Sequence, residues 1–357
     1  MENKKTITFI RFPYSSRYGG EELHTIKLAE FFSTQDYQVR LISNCPVLIK
    51  LFKEKNLKVY EFEAPKPPVS KSSLFKFTLS IPFFYCKFRN QFPADFFKNE
   101  AATFLLNLGE KIVLPKFLSK HSKKVIFLEH ATIGKWLLKN PFLLVIRNHL
   151  KIENTKVISV SKKMIKPIFE AYKTKPKIIR NGIYLEDYQK VTKKEYTSLK
   201  KIGFLGRFTH EKGSNEIMKL AKEFPEIDFL ISDNYEGCDL KNLKFLGFLD
   251  HQSKSKFFKE IDLLILPTVK IDPFGLVVLE AQNHYIPVLM SDKTGASDYF
   301  ENNKNAFICK SNKCNLKIQE IIKTPNLLNK VSSNAAIKIN TFSSKLMHEE
   351  FLKFIEN

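Results

Sequence analysis

The stretch Asp272-Pro-Phe-Gly-Leu-Val-Val-Leu-Glu280 carries the clearest information about the fold of this chain. It follows one apolar run, residues 261–267, and precedes another, residues 286–291, so it is typical of the connection in a strand–helix–strand unit. The pattern predicts a helix that begins near Phe274. Asp272 would then stand just before the helix, and Glu280 would lie about two turns further on.

The start of this predicted helix offers groups that can bind a phosphorylated ligand. The first backbone N–H groups of a helix, here those of Phe274, Gly275 and Leu276, have no partners within the helix and attract phosphate. Gly275 allows a ligand to approach the backbone, and the Glu280 carboxylate can accept two hydrogen bonds from a sugar or ribose diol. Alternatively, Asp272 only caps the helix and Glu280 is a solvated acid.

The segment resembles the donor-site signature of a known enzyme family. The order acid-Pro-Phe-Gly, four mostly apolar residues, Glu-Ala and a strand of the Ile-Pro-Val type is similar to that of the retaining GT-B glycosyltransferases of family four, the glycosyl transferases group 1. The first acid of that signature is usually Glu, whereas this chain has the shorter Asp272. Residues 282–285, Gln-Asn-His-Tyr, stand where small residues are usual.

The resemblance implies an α/β protein of the GT-B fold, with two doubly wound, Rossmann-like domains that face a central cleft. It places an acceptor-side domain at residues 1–182 and a nucleotide-sugar-binding domain at residues 183–340. Residues 341–357 would form a C-terminal helix that crosses back to the first domain. A length of 357 residues with 43% hydrophobic content is sufficient for two separate cores.

A second motif follows a charged linker around residues 190–201 and a predicted strand at residues 202–206. In the next loop, Arg207 and Lys212 can converge on one diphosphate, Arg as a planar fork and Lys as a mobile point charge. They can also be two solvated loop cations. The spacing Gly-Arg-x4-Lys-Gly resembles the phosphate motif of the family, and it precedes the Asp272–Glu280 motif as it does there.

The N-terminal half begins with a predicted strand at residues 6–10, a loop and a helix at residues 21–32. Gly19 and Gly20 stand at the start of that helix, where bare amides can approach phosphate, although a Gly-Gly pair is also a common loop device. The first domain of the resembled family begins in the same way.

His130 follows a predicted strand at residues 124–128, at the end where open α/β sheets place ligand-binding residues. A lone histidine is also compatible with a purely structural role, but the resemblance implies contact with the donor sugar. By resemblance, the catalytic residues would be His130, Arg207, Lys212 and Asp272. The donor would be bound by Gly19, Gly20, Arg207, Lys212, Asp272, Phe274, Gly275, Leu276, Val277 and Glu280.

The formal net charge of +21 lies almost entirely in the first half of the chain. Residues 1–180 contain 33 Lys and Arg against 14 Asp and Glu, whereas residues 181–357 contain 25 against 23. A basic half favours an acidic partner, either anionic lipid or nucleic acid. Only seven of the 58 basic residues are Arg, so base recognition is poorly supplied and an anionic membrane is favoured over nucleic acid. Alternatively, the excess of Lys is compositional drift.

Residues 64–124 mix Phe with Lys, Arg and Pro, which predicts helices that alternate with turns. Such helices can bury Phe in a core and leave Lys in solvent, or they can place Phe among lipid headgroups. The resemblance assigns acceptor binding to this half of the chain. Both interpretations of the Phe-rich region therefore stay open.

Cysteine content, the N-terminal residues and hydropathy indicate the compartment. Five cysteines in so long a chain do not form a dense disulfide framework, which favours free thiols in a reducing compartment. The first residues do not resemble a secretion signal, and the longest uncharged runs, of about ten residues, are too short to span a bilayer. We therefore expect a cytoplasmic protein, or one held peripherally on the inner face of the cytoplasmic membrane.

The resemblance implies a retaining glycosyltransferase that moves a sugar from a nucleotide-sugar donor to a hydroxyl acceptor. That acceptor would be a glycan or lipid-linked glycan of the cell envelope, such as lipopolysaccharide, capsule or glycolipid. We expect no cofactor and no metal, because no Asp-x-Asp motif is present and the loop cations would stabilise the leaving phosphate instead. The alternatives are a nucleotide-sugar epimerase or hydrolase, and a non-catalytic basic protein of the same fold that binds membrane or nucleic acid.

Overall fold

The computed structural model describes residues 4–14, 19–68, 70–133, 138–184, 193–235 and 237–357. These residues form two compact units. The first consists of Met1–Val160, Ile165–Ile179 and His348–Asn357, and the second of Ser161–Met164 and Arg180–Met347. The predicted charged linker lies partly outside the described residues, since residues 185–192 are among those that are not described.

The described residues contain thirteen strands, in two sheets. They are β1 Thr6–Arg11, β2 Gln38–Ser43, β3 Lys58–Glu61, β4 Glu100–Leu105, β5 Val125–Glu129, β6 Thr155–Ser159, β7 Lys177–Ile178, β8 Lys201–Phe204, β9 Asp228–Ile231, β10 Leu243–Phe245, β11 Leu263–Leu266, β12 Val288–Ser291 and β13 Phe307–Cys309.

The α-helices of the described residues connect these strands. They are α1 Gly20–Thr34, α2 Pro46–Glu54, α3 Lys71–Gln91, α4 Leu108–Val113, α5 Pro115–Leu118, α6 Phe142–His149, α7 Ile165–Tyr172, α8 Ser214–Glu223, α9 His251–Glu260, α10 Val277–Asn283, α11 Cys314–Lys323, α12 Asn326–Ile339 and α13 Ser344–Glu356.

The first unit is built on a seven-stranded sheet with the order β3-β2-β1-β4-β5-β6-β7, in which all neighbouring strands are parallel. Every residue of β1 and β4 is buried, as expected where both faces of a parallel sheet are covered. The strand order reverses between β1 and β4. In such sheets, ligands bind beyond the carboxyl ends of the strands at this reversal.

The second unit is built on a six-stranded parallel sheet with the order β10-β9-β8-β11-β12-β13. Its strand order reverses between β8 and β11. The loops that carry Arg207 and Asp272 follow these two strands. Two α/β units, each with one parallel sheet, confirm the doubly wound fold that the sequence predicts.

The region of residues 64–124 contains three helices, α3, α4 and α5, as the prediction of helices and turns required. It differs in two respects: α3 is 21 residues long, and the strand β4, which pairs with β1 and β5 in the middle of the first sheet, was not predicted. The apolar run of β4, Ala101-Ala-Thr-Phe-Leu-Leu106, is too short for its period to separate strand from helix. This strand was therefore not recognised among the Phe-rich and Lys-rich residues around it.

The helix of the opening motif begins at Val277, three residues later than predicted. The physical reason is the backbone of Gly275, whose φ of +84° lies outside the right-handed helical region. Asp272 is consequently not the N-cap residue of α10; that position is held by Leu276.

The C-terminal helix α13 begins in the second unit, and its residues from His348 onward belong to the first. In the first unit, the Phe351 ring packs edge-on against His24 with centroids 5.7 Å apart. The ammonium group of Lys124 donates a hydrogen bond to the carbonyl oxygen of Ile355, at 3.0 Å.

Candidate functional site

A largely buried ion pair joins the loops after β8 and β11. The Nζ atom of Lys212 lies 2.6 Å from the Oδ2 atom of Asp272, although the two residues are 60 positions apart. The Asp272 side chain is 9% exposed and that of Lys212 is 32% exposed. The structure therefore brings together one residue from each of the two predicted donor motifs.

The backbone of Asp272 is held by the loop that follows β12. Its N–H group donates to the carbonyl oxygen of Lys293 at 3.0 Å, and its own carbonyl oxygen accepts from the N–H group of Gly295 at 2.9 Å. A Cβ atom at Gly295 would lie 2.1 Å from the carbonyl oxygen of Pro273, so only glycine permits this close approach. The Asp272 carboxylate is thus positioned by three separate loops.

Lys212 ends a short 3-10 helix, His210–Lys212, and is followed by Gly213 with a φ of +92°. A Cβ atom at Gly213 would lie 2.3 Å from the carbonyl oxygen of Pro267, directly after β11. The second glycine of the Gly-Arg-x4-Lys-Gly motif is therefore required by backbone conformation and by contact with the neighbouring loop.

The loop that carries Arg207 is held by hydrogen bonds to the two residues that follow β9. The Gly206 N–H group donates to the Ser232 hydroxyl at 2.9 Å, and the Phe208 N–H group donates to Asp233 Oδ2 at 2.7 Å. Arg207 itself is exposed, and its guanidinium group makes no hydrogen bond or ion pair with any residue that the structure describes. Its position leaves the cation available to a ligand.

Glu211, in the same loop, is paired with Lys270. The hydrogen bond from Lys270 lowers the pKa of the Glu211 carboxyl below its ordinary value, and the charges of Lys270, Arg207 and Lys212 lower it further. The Glu211 carboxyl is well exposed. Residues 206–213 and Lys270, which comes from the loop after β11, together combine three Lys or Arg side chains with this single acid.

The backbone N–H groups of Phe274, Gly275, Leu276 and Val277 have no acceptor among the described residues. The Phe274 side chain is buried and lies near the rings of Tyr299 and Phe342, at centroid distances of 6.1 and 6.4 Å. Any contact of Phe274 with a donor would therefore be made by its backbone. Leu276 and Val277 are half-buried.

Glu280 lies in α10 and is paired with Lys254 of α9. The Lys254 ammonium group lies 3.1 Å from Oε2 and 3.3 Å from Oε1 of Glu280, whose side chain is only 9% exposed. Sequence reasoning did not find Lys254. Its signal was weak, because it is one of several Lys residues on a polar helix and its partner is 26 positions away.

The first unit has its own charged cluster beyond the carboxyl ends of β1 and β5. Arg11 Nη1 lies 2.6 Å from Glu22 Oε1, and its Nη2 atom lies 3.4 Å from Glu21 Oε2. Burial raises the pKa of the Glu21 carboxyl, and the nearby Arg11 charge offsets only part of this effect. A second group joins Lys111, Glu129 and Tyr172: Glu129 Oε1 accepts from Lys111 Nζ at 2.8 Å and from the Tyr172 hydroxyl at 2.9 Å.

His130 and His24 lie side by side next to this cluster, with ring centroids 4.4 Å apart. Burial lowers the pKa of His24 to about 3, and it lowers the pKa of His130 well below its ordinary value, with neighbouring positive charges acting in the same direction. Both rings are therefore neutral at pH 7. His130 Nε2 and both ring nitrogens of His24 have no hydrogen-bond partner among the described residues.

Gly19 and Gly20 precede the acids of this cluster, since Gly19 is the N-cap residue of α1 and Gly20 its first residue. Two carboxylates, Glu21 and Glu22, occupy the first turn of α1. Residues 15–18 of the loop before them lie outside the described residues. Phosphate contact by Gly19 and Gly20 stays a prediction, as do the individual roles of the other donor-site residues.

The comparison with protein families agrees with the motifs. Residues 187–338 match the family model described as glycosyl transferases group 1. This segment is a group 1 glycosyltransferase domain. The resemblance inferred from the Asp272–Glu280 and Arg207–Lys212 motifs is confirmed.

Among curated proteins, part of this chain is similar to the capsular polysaccharide biosynthesis glycosyltransferase CapM of Staphylococcus aureus. The identity is 26% over 195 residues, which is 48% of this chain and 51% of CapM. This chain spans about half the length of the curated relatives that it matches.

The solved structures confirm the GT-B fold over the whole chain. Sucrose-phosphate synthase from Thermosynechococcus elongatus superposes with a TM-score of 0.77 at 15% identity, covering 99% of this chain and 98% of the other. HepE from Anabaena, in complex with UDP and glucose, superposes with a TM-score of 0.73 at 17% identity, covering 99% and 100%.

Two further observations apply to all the residues that the structure describes. No three His, Cys, Asp or Glu side chains of the described residues are grouped as ligands of a metal ion would be. No helix among them has the length and apolar character required to span a bilayer.

Proposed function

We propose that this protein is a retaining glycosyltransferase, which transfers a sugar from a nucleotide-sugar donor to a hydroxyl group of an acceptor. The observation that carries the proposal is the ion pair of Lys212 and Asp272, placed with Arg207 beyond the carboxyl ends of β8 and β11 in a group 1 domain. This is the reversal of strand order, where doubly wound sheets bind ligands.

The donor diphosphate would be bound by Arg207 and Lys212. Arg207 is exposed and has no described partner, so it can form the planar, two-point contact that guanidinium groups make with phosphate. Lys212 is already oriented by Asp272 and adds a point charge. The unpartnered amides of Gly275, Leu276 and Val277 add hydrogen-bond donors beside Asp272.

The two acids would divide the rest of the donor between them. Glu280, fixed by Lys254, can accept hydrogen bonds from the ribose diol, while Asp272 can accept them from hydroxyls of the sugar. The resemblance further assigns a sugar contact to His130, whose neutral ring can donate or accept one hydrogen bond. Gly19 and Gly20 would contribute backbone contacts.

In the proposed reaction the acceptor oxygen forms a bond with the anomeric carbon, and the bond between that carbon and the leaving phosphate breaks. The acceptor proton passes to the leaving phosphate, which departs as a nucleoside diphosphate. Arg207 and Lys212 stabilise the negative charge that develops on it, a preorganised electrostatic contribution. In this proposal the two cations act where other transferases use a metal ion.

The donor and acceptor classes are suggested by similar proteins. HepE was solved in complexes with UDP and with UDP-glucose, which supports a uridine diphosphate sugar as the first donor to test. CapM is named for capsular polysaccharide biosynthesis, and a further relative is a phosphatidyl-myo-inositol mannosyltransferase. These names support a glycan or a lipid-linked glycan of the cell envelope as the acceptor.

The test is a turnover assay of the full chain with UDP-, GDP- and ADP-sugars, with and without glycan acceptors and with and without a chelator. We expect release of nucleoside diphosphate that depends on the acceptor and is unaffected by the chelator. Nuclear magnetic resonance of the product should show the anomeric configuration of the donor.

Matched variants locate the activity. Lys212→Ala should abolish most of the turnover, whereas Lys222→Ala, which removes an exposed lysine on the neighbouring helix α8, should leave it intact. Turnover without any acceptor would favour an epimerase or hydrolase instead. Absence of turnover and of nucleotide binding with every donor would favour a non-catalytic protein of this fold.

A further inference from the structure

Helix α3, Lys71–Gln91, has two apolar faces. Phe77, Phe84 and Phe88 are buried in the first unit, with at most 2% of their surface exposed. Phe75, Leu79 and Phe83 are exposed by 67%, 66% and 71%. The helix therefore shows a row of large apolar side chains to its surroundings, in addition to the face that it contributes to the core.

The exposed row is continuous. Phe75, Leu79 and Phe83 follow one another at intervals of four residues, so their side chains are rotated by about 40° per step and lie on successive turns of one face. Pro82 and Cys86, which are also exposed, fall within the same arc. The buried Phe residues lie roughly on the opposite side, at about 180–220° from Phe75.

The structure confirms the core interpretation of the Phe-rich sequence for one face of α3. Phe84 packs edge-on against Phe12 and Phe88 packs against Phe62, with centroid distances of 5.7 and 5.4 Å, so this face is ordinary core. The opposite face has no such partner among the described residues. An apolar row of this kind is typical of a surface that meets another body.

The charge around the row indicates what this body is. Residues 64–94 contain five Lys or Arg and no Asp or Glu, and the first 180 residues contain 33 basic against 14 acidic side chains. Lys76 is exposed beside Phe75, and Arg89 is exposed one turn beyond Cys86. Basic side chains beside an apolar helical face match the headgroup region of a bilayer that contains anionic lipid.

The shape of the row also favours a lipid surface. A single helix presents a convex ridge, which has no groove to receive the side chains of a folded partner. The row has no hydrogen-bonding side chain at positions 75, 79 and 83 with which to recognise a base edge. A bilayer interface accepts aromatic and aliphatic side chains at shallow depth without a matched pocket.

We propose that α3 docks this protein on an anionic lipid bilayer, with Phe75, Leu79 and Phe83 inserted among the headgroups and the neighbouring basic residues held against lipid phosphates. This surface shares no residue with the candidate donor site. The vesicle assays need neither donor nor acceptor, so their failure would leave the proposed transfer reaction unaffected.

The first test is cosedimentation of the full chain with phosphatidylcholine vesicles, with and without phosphatidylglycerol. We expect binding to the anionic vesicles to be at least about tenfold stronger and to weaken as salt rises. Joint replacement Phe75→Ser, Leu79→Ser and Phe83→Ser should reduce binding about tenfold or more. The matched control, Phe248→Ser with Ile337→Ser, removes two residues of the second unit that are 76% and 71% exposed and should change nothing.

The second test reports insertion without altering the row. An environment-sensitive dye on Cys86, in a chain with Cys238→Ser and Cys309→Ser, should shift its emission when anionic vesicles are added. Lipids that carry a quencher in the upper acyl chain should then quench it. Cys45 and Cys314 are buried and are not expected to react.

Three results would overturn the proposal. One is unchanged vesicle binding by the triple serine variant, provided that its thermal unfolding matches that of the parent. Another is a Cys86 dye that does not respond to vesicles to which the protein binds. The last is a concentration-dependent dimer that the triple variant abolishes, because a second copy of the chain would then cover the row.

Discussion

The ammonium group of Lys212 lies 2.6 Å from the Oδ2 atom of Asp272, and this contact ties the loop after β8 to the loop after β11. The Asp272 side chain is almost fully buried, whereas the Lys212 side chain is about one-third exposed. An incoming diphosphate would therefore meet a cation that is already held in place. It would share that cation with Asp272 instead of capturing a free lysine.

The first prediction concerns the two cations. Lys212→Ala and Arg207→Ala should each weaken the binding of nucleoside diphosphate by roughly 1.5–3 kcal/mol, which is the contribution of a hydrogen bond to a charged group. Only Lys212→Ala should also lower the free energy of unfolding, because it leaves the buried Asp272 without its partner. Titration calorimetry and denaturant unfolding measure the two effects.

A double variant separates these effects. Lys212→Ala combined with Asp272→Asn should recover part of the lost stability but none of the lost affinity, because the unpaired charge is gone while the phosphate contact is still missing. Lys222→Ala is the control for a change in net charge. Unchanged nucleotide affinity in both single variants would show that the diphosphate does not bind to this loop.

The second prediction distinguishes the two acids of the motif. Asp272→Asn should mainly lower kcat, because a contact to the sugar matters most in the transition state. Glu280→Gln should instead weaken donor and free nucleotide alike, since a ribose contact persists in both. Asp272→Glu should also reduce activity, because the extra methylene must fit between Lys212 and the turn at Gly275.

Steady-state kinetics together with nucleotide binding provide the comparison. Lys254→Ala is informative as well: if Lys254 only holds Glu280, this variant should resemble Glu280→Gln in kind. Should Asp272→Asn and Glu280→Gln both turn over like the parent with every donor, the motif would not belong to the donor site.

Features that depend on residues close together in the sequence could be predicted. The strand, loop and helix that carry Arg207 and Lys212 follow from an apolar run, a basic loop with glycine at both ends and a helical period. The same holds for the unit around Asp272. These signals lie within about ten residues, and the local chemistry and the tertiary structure agree there.

The features that escaped depend on contacts between distant residues. Lys254 is important only because α9 packs beside α10, and Asp233 only because β9 ends next to the Arg207 loop. β4 was missed because its short apolar run has no decisive period. The predicted start of α10 was wrong because Gly275 has a left-handed backbone, which does not belong to a right-handed helix. A Cβ atom at Gly275 would also lie 2.9 Å from the Thr294 side chain.

The third prediction concerns pH and the first unit. Burial lowers the pKa of His24 to about 3, so the fold binds this ring in its neutral form. Its contribution to stability is fully present above the unfolded value near 6.5 and is lost as the pH falls toward 3. Burial raises the pKa of Glu110 to about 7, so its contribution is present below pH 4.5 and is lost as the pH rises through 7.

Two variants should therefore change the pH dependence in opposite directions. Between pH 4.5 and 6.5, His24→Phe should make the free energy of unfolding rise less steeply with pH, and Glu110→Gln should make it rise more steeply. Each change is limited to about 1.36 kcal/mol per pH unit for one proton. Denaturant unfolding at four pH values measures the slopes, and parallel curves for both variants and the parent would contradict the assignment.

The last prediction uses two glycines that share a backbone conformation but differ in their surroundings. Gly213 has a φ of +92° and Gly237 a φ of +88°, so alanine is strained at both positions. A Cβ atom at Gly213 would lie 2.3 Å from the Pro267 carbonyl oxygen, whereas one at Gly237 would have no atom of the described residues within 4 Å, its chain neighbours excepted. Gly237→Ala should therefore cost only the strain of a left-handed residue, about 1–2 kcal/mol in the free energy of unfolding. Gly213→Ala should cost a further 1–3 kcal/mol or so, because backbone atoms of two loops must move apart.

Since Lys212 precedes Gly213, that movement should also reduce nucleotide affinity, which Gly237→Ala should preserve. Equal losses of stability in the two variants, with nucleotide affinity intact, would mean that the contact between Gly213 and Pro267 does not set the position of Lys212.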